Sequence, residues 1–352
     1  IHLNVDYPFN LKGILYFPRL NQEMHGIEGQ IKLYNNQVYV ADNIKEVIPE
    51  YLLLLKGVID CPDLPLNVSR SFLQNDGFVK KISAHITKKV ADRLTGLFNT
   101  ERETYQKYWD DINPFIKYGC MRDDKFYERM NACLLLKTIQ GNYLTIDEYL
   151  ELNKEKHANK IYYVNDLEQQ AQYIDLFNKN DLSAVILNTV IDSAFLQMIE
   201  TKREGVKFIR IDAALADALK AETASEISEE QKAYITEMFK NAASDQNLEV
   251  KFEALQDDGI SAMLLVDELD RRMQDFARMY GDKAAEWMGK VPVKRTLVVN
   301  SASKLIGKLA GTKDEILCAQ IYDLALLMHG SLKPEQLKAF IARTNSLLAD
   351  NN

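Results

Sequence analysis

Arg70 is the residue whose type and setting come nearest to chemistry in this sequence. It lies in Asp63-Leu64-Pro65-Leu66-Asn67-Val68-Ser69-Arg70-Ser71-Phe72-Leu73-Gln74, a polar, proline-led loop that delivers a lone arginine at the mouth of a helix. A guanidinium is a planar fork of N–H donors, suited to meeting a phosphate and to stabilising charge as it develops during transfer. Capping or a surface ion pair is the commoner duty of such an arginine, and on the residues alone that use is favoured. Other chemical signals are weak. The histidines His2, His25, His85, His157 and His329 show neither HExxH nor a pairing with cysteine, and Cys61, Cys120, Cys133 and Cys318 form no CxxC. They read as surface or satisfied residues, so no metal site is expected. His25-Gly26-Ile27-Glu28-Gly29 is a glycine-containing turn that matches neither a Walker loop nor GxGxxG, so the chain has no evident nucleotide pocket of its own.

The elements that must hold such a loop belong to a chain of 352 residues, enough for two to three domains. A net charge of -8 argues against nucleic acid or an anionic membrane surface as partner, because phosphate neutralisation needs a basic face. The apolar run Tyr51 to Leu55 is far too short to span a bilayer, and scattered cysteines without a signal peptide suit a reducing cytoplasm. Ile1 to Val5 already alternates as a strand, so an excised fragment is expected.

Ile1 to Val5, Lys12 to Phe17, Gln30 to Leu33 and Gln37 to Val40 read as strands of one mixed sheet. Asn43 to Leu55 resembles a helix and Lys56 to Asn67 a short connection. Beyond Gly77, the residues Phe78, Ile82, Ile86, Val90, Leu94 and Leu97 mark one face of a helix. Lys80, Lys81, Lys88, Lys89 and Arg93 fall elsewhere on it and read first as a solvated basic face, second as a binding patch. The pattern stays helical from about Thr100 to Lys156, with Asn113-Pro114 as a break. Lys160 to Val164, Leu167 to Asn178, Ala184 to Leu187 and Lys207 to Ile211 imply a small βαβ unit with a parallel sheet. A Ser-x-x-Glu box is expected near Ser225 to Glu229, then strands at Leu248 to Phe252, Ile260 to Val266 and Lys294 to Val299. The fold class is therefore α/β and α+β, multi-domain: a large mixed-sheet α/β domain (1-98), a helical connector (99-157), a small α/β/α domain (158-220) and an α+β C-terminal domain (221-352).

Two stretches read as surfaces for other chains. Ile316 to Met328 is apolar on nearly every side, and Pro334 opens a helix striped by Leu337, Phe340, Ile341, Thr344, Leu347 and Leu348. Such helices exceed what one small sheet covers, which points to a homodimer through Ile321, Leu324, Met328, Leu337, Phe340, Ile341 and Leu348, with packing on the domain's own core as the alternative. Between Asp267 and Gly281, Leu269, Met273, Phe276 and Tyr280 lie on one face. That face either packs on its own sheet or holds varied apolar segments, as methionine and aromatics do well.

Leu66-Asn67-Val68-Ser69-Arg70 followed by Leu73-Gln74 resembles the signature of the heat-shock protein 90 middle domain. The flanks agree in order: Gly13 to Pro18, Ile31 to Tyr34, Ile48 to Tyr51, Lys56 to Asp60 and, further on, Ile161 to Val164 and Ile191 to Ile211. The resemblance covers the whole chain and is strongest before about residue 100. It implies an ATP-dependent chaperone in which Arg70 reaches the γ-phosphate of ATP held with Mg by the N-terminal ATPase domain, and Gln74 makes a neighbouring polar contact. It also implies client proteins as partners, contacted by the Leu269 to Tyr280 helix, and a homodimer. The parent would be the ATPase, and this portion alone inactive. Two departures stand out. Asn36-Gln37 replaces a basic pair usual in the family, and the end, Asn345 to Asn352, lacks the acidic tail that recruits tetratricopeptide co-chaperones. The second favours the family's bacterial branch. A nucleotide-independent dimeric scaffold is the alternative of another class, and a self-contained hydrolase a remote third.

Overall fold

The computed structural model describes residues 1–18, 31–42, 47–52, 55–64, 76–189, 191–213, 227–255, 257, 259–266, 270, 272, 295–328 and 332–349. These are mixed α and β with several sheets, in two compact units. The first comprises Ile1–Leu136, Tyr143–Tyr149 and Ala194–Lys202, and the second Lys137–Asn142, Leu150–Ser193 and Arg203–Asn352.

In the first unit, β1 (His2–Val5), β2 (Leu11–Tyr16), β3 (Ile31–Asn35), β4 (Val38–Asp42) and β5 (Lys56–Asp60) form a sheet in the order β1-β2-β5-β3-β4. All neighbours are antiparallel except β3 and β5, which run parallel. Leu3, Val5, Leu11, Leu15, Ile31, Leu33 and Ile59 alternate onto its buried face. The central strand β5 corrects the expectation of a connection at Lys56. Five residues with Gly57 among them and Pro62 just beyond carry little strand signal, yet Gly57 lets β5 approach β2, since a Cβ there would lie 2.0 Å from the Ile14 carbonyl oxygen. Of the helix expected over Asn43 to Leu55, the described residues contain a 3-10 turn at Glu50–Leu52.

Three helices pack together beside this sheet: α1 (Asp76–Thr100), α2 (Arg102–Arg122) and α3 (Asp124–Met130). Of the expected stripe on α1, Ile82, Ile86, Val90 and Leu94 are buried and Phe78 and Leu97 half-buried, and Val79 is buried beside them. α2 runs unbroken through Asn113-Pro114, against expectation. Proline leaves the carbonyl four residues back without its helical donor. Here Asn113 Nδ2 donates to that carbonyl, of Asp110, at 3.1 Å, and to the Trp109 carbonyl at 2.9 Å.

A short hairpin, β6 (Leu135–Lys137) and β7 (Tyr143–Thr145), leads into α4 (Ile146–Leu152). Thr145 and Glu148 form a capping box: Thr145 N donates to Glu148 Oε2 at 2.8 Å and Glu148 N to Thr145 Oγ1 at 3.1 Å. Arg102 at the start of α2 grips the same carboxylate with both Nη atoms, at 2.6 and 2.5 Å.

In the second unit, α5 (Lys154–His157) precedes a parallel sheet ordered β10-β8-β9, from β8 (Lys160–Val164), β9 (Val185–Ile186) and β10 (Lys207–Arg210), with α6 (Ala171–Lys179) crossing over between β8 and β9. α7 (Asp192–Lys202), whose residues from Ala194 onward belong to the first unit, precedes β10 in the chain. A second sheet, β11-β13-β12, joins β11 (Glu249–Glu253) parallel and β12 (Ala262–Val266) antiparallel to β13 (Arg295–Asn300). β12 and most of β13 are apolar on both faces because both faces are covered there. Leu264, Leu297 and Val299 join one core with Ile235 and Phe239 of α8 (Glu229–Ala243), Ile306 and Leu309 of α9 (Lys304–Thr312) and Ile321 of α10 (Glu315–Met328). Met263 and Val298 join another with Tyr162, Val164, Tyr173 and Phe177.

Asn300, fully buried at the end of β13, spends every bonding group: Oδ1 accepts from Leu255 N and Ala302 N, and Nδ2 donates to the Asp257 and Ile260 carbonyls. A capping box starts α8 at Ser228 and Gln231, three residues beyond the one expected at Ser225.

The Arg102 fork holds the Glu148 carboxyl at about 2, well below the usual range, with the Thr145 amide assisting and burial opposing. Such a depressed group stabilises the fold above its unfolded pKa of about 4.3 and loses that contribution as pH falls to about 2. Both side chains are over a third exposed, so the contribution is at most about 1 kcal/mol. Glu148→Gln should therefore unfold at lower denaturant than the parent at pH 6, and the gap should close between about pH 4.3 and 2. A gap independent of pH would show that the ion pair is not its source.

Candidate functional site

Two regions fit the chemistry expected. The first is the frame of the Arg70 segment. Arg70 and Gln74 themselves lie outside the described residues, as do Leu269, Met273, Phe276 and Tyr280. What the structure places is the anchorage before and after residues 65–75. β5 ends at Asp60, and Cys61 N donates to the Tyr34 carbonyl at 3.0 Å. Asn35 Nδ2 then lies 3.2, 3.1 and 3.3 Å from the carbonyls of Cys61, Pro62 and Leu64, tying that turn to β3. Asp63 accepts from Asn10 N at 2.6 Å and from Asn10 Nδ2 at 3.2 Å, tying it to the β1–β2 connection. Beyond residue 75, α1 begins at Asp76. A rigid strand and a long helix thus bracket the segment.

Asn36-Gln37 is the two-residue turn between β3 and β4, with φ of 51° and 66°. Positive φ at both central positions is the type I′ pattern whose twist suits a tight hairpin. Gln37 N donates to Asp60 Oδ2 at 3.1 Å, so this departure from the family pattern serves the sheet. Asn35 was missed by sequence reasoning; its only signal was an extra polar residue at a strand end.

The second region is the helix pair α10 and α11 (Pro334–Ala349). α10 follows the N-cap Asp314, whose carboxylate accepts from Ile316 N and Leu317 N. One side of it enters the core through Leu317, Cys318, Ile321, Ala325 and Leu326. The other side leaves Ile316, Leu324 and Leu327 exposed. α11 buries none of its residues. Polar contacts hold it: Gln320 Nε2 donates to Thr344 Oγ1 at 2.7 Å, Arg343 Nε to Gln320 Oε1 at 3.3 Å, and Arg343 pairs with Asp323. Burial pushes the Asp323 carboxyl upward against the downward pull of Arg343.

Leu337, Ile341 and Leu348 are 40%, 51% and 64% exposed, while Phe340 and Leu347 are half-buried. Of the seven residues expected at an interface, Ile321 is in the domain's own core and Met328 packs against the second core. Leu324, Leu337, Ile341 and Leu348 face out. Near the expected client helix, Arg272 donates to the Phe208 carbonyl at 2.9 Å.

Little else offers chemistry. All four cysteines are free and buried, and burial pushes Cys61 up to about 11 and Cys318 up to about 12, with Cys120 and Cys133 also raised, so none is a ready thiolate. Among the described residues, no group of three His, Cys, Asp or Glu side chains is placed to hold a metal ion, and no helix is long and apolar enough to cross a membrane.

Arg343→Ala should leave Asp323 half-satisfied and release α11. Amide exchange over 334–349 is expected to quicken by about tenfold, the equivalent of one lost charged hydrogen bond, with α8 unchanged. Unaltered exchange in α11 would mean that its apolar contacts, not the polar clamp, hold it.

The family model described as Hsp90 protein matches residues 1–351. The chain is 38% identical over 328 residues to "Chaperone protein HtpG" of Porphyromonas gingivalis strain ATCC 33277, covering 90% of this chain and 48% of that protein. It is 38% identical over 317 residues to the protein of the same name from Bacteroides thetaiotaomicron, covering 87% and 46%. To that of Helicobacter hepaticus it is 27% identical over 359 residues, covering 99% and 56%. The chain spans about half the length of the curated relatives it matches.

Proposed function

The chain belongs to the Hsp90 protein family, and on that premise we propose that it is the middle and C-terminal portion of an HtpG-type, ATP-dependent chaperone acting in the bacterial cytoplasm as a homodimer. The observation that carries the dimer is α11, a sixteen-residue helix with no fully buried residue, on which Leu337, Ile341 and Leu348 stand in solvent, as does Leu324 of α10. An apolar stripe of this kind across two helices is a self-complementary face that a second copy covers by two-fold symmetry. Ile321 and Met328 would then support it from within.

In the middle portion, Arg70 acts as the γ-phosphate contact and Gln74 as its polar neighbour, toward ATP and Mg held by the parent's N-terminal ATPase domain. The anchorage of residues 61–64 by Asn35 and Asn10 supports this reading, because a guanidinium that must meet a phosphate in another domain needs a loop with fixed ends. Client segments are held by the Leu269, Met273, Phe276 and Tyr280 face, and nucleotide-driven closure of the parent dimer alters that grip by population shift.

Light scattering tests the dimer directly. Leu324→Glu combined with Ile341→Glu should halve the mass while circular dichroism is unchanged; a dimer that persists rules this face out. In the full-length parent, Arg70→Ala should lower ATP turnover by at least about a hundredfold with nucleotide affinity nearly unchanged. Undiminished turnover would remove Arg70 from the reaction and favour a nucleotide-independent scaffold.

A further inference from the structure

The basic stripe of α1 has no part in the reading above, yet it lines a cavity of about 640 Å³ between α1 and α3, roofed by Pro8 and Phe9. Lys81, His85 and Lys88 recur at four- and three-residue steps along one face of α1 and make one wall. Lys125 and Arg129, one turn apart on α3, make the other. Lys81, Lys88 and Lys125 have no ion-pair partner among the described residues; Arg129 is shared with Asp92 at 3.3 Å.

Two acids also line the cavity, Asp123 and Glu128. The Asp123 carboxylate is already engaged, accepting from Lys125 N, Phe126 N and the Tyr51 hydroxyl. Four cations against two acids leave an excess of positive charge, in a chain whose net charge is -8. Phe9 is buried and meets His85 edge-on at 5.3 Å and Phe78 at 6.0 Å, so one side of the cavity is a fixed apolar wall. Low-dielectric walls strengthen the field of the lysines, whose mutual repulsion a bound anion relieves.

Cations on both walls ask for a ligand with charged oxygens at both ends. We propose that the α1–α3 groove binds a condensed phosphate, either free or as the triphosphate tail of a nucleotide. Lys81 and Lys88 take one end and Lys125 and Arg129 the other. His85 reports on it: burial first, then Lys89 and Lys88, keep its pKa low against Asp92, and an anion among Lys81, Lys88, Lys125 and Arg129, near Asp123 and Glu128, raises it.

Titration calorimetry of the full chain with inorganic tripolyphosphate tests this. Saturable binding is expected that weakens from about 50 to about 200 mM salt, falls at least about tenfold in the Lys81→Gln, Lys125→Gln double variant, and survives Arg70→Ala. Survival in that last variant separates the groove from the phosphate contact proposed for Arg70. ATP that binds with the same loss in the double variant assigns the nucleotide tail; ATP that does not bind assigns the free polyphosphate. No saturable heat, an equal affinity for orthophosphate, or binding lost with Arg70→Ala and kept in the double variant overturns the proposal.

Discussion

A side chain at position 57 would bring its Cβ within 2.0 Å of the Ile14 carbonyl oxygen, and one at position 13 within 2.4 Å of that of Val58. β5 therefore enters the middle of its sheet with glycine at two of the five pairs where it meets β2. Everything at the front of the first unit follows from that insertion. With β5 held between β2 and β3, its end at Asp60 falls where Asn35 of β3 reaches three backbone carbonyls just beyond it, of Cys61, Pro62 and Leu64. The strand that locks the sheet is thus the strand that fixes the chain at residues 61–64.

The second unit is built on a sheet that is covered twice. β12 and β13 send alternate residues into two cores, so neither face is available to another chain. Buried polar groups in such a wall must be satisfied from within it, which Asn300 achieves with four partners and Ser261 and Ser303 with each other at 3.0 Å. The surplus apolar surface is displaced to the helix pair at the chain's end. α11 is positioned by Gln320, Asp323 and Arg343 and is not fastened by burial. A polar clamp fixes direction while leaving the hydrophobic area uncommitted, which suits a helix whose apolar partner is a second copy.

The same economy of charge appears in the first unit. Where a cation must organise structure it is paired geometrically, as Arg102 is with Glu148. The lysines of the α1–α3 groove have no ion-pair partner among the described residues, and Asp123, one of the two acids that line it, is occupied by a helix cap and a tyrosine. The contrast separates charges that hold the fold from charges left for something else.

The sequence by itself determined most elements whose periodicity is local: the α1 stripe, the β8–α6–β9 crossover, the strands of the second sheet and the two terminal helices. The ordered matches around Arg70 also sufficed to identify the family, because they are short, contiguous and specific. Arg70, Gln74 and the Leu269 to Tyr280 face still rest on that resemblance and on nothing placed in space. Tertiary structure alone decided the rest. β5 was hidden because a glycine-bearing strand of five residues draws its stability from two neighbours distant in sequence. Asn113 carries α2 past Pro114 by supplying a side-chain donor that no propensity scale credits. And Ile321 and Ile341 share an apolar periodicity, yet one is sealed in its own core and the other stands in solvent. Hydrophobic spacing states that a residue requires an apolar neighbour; only the packed chain says whether that neighbour is its own.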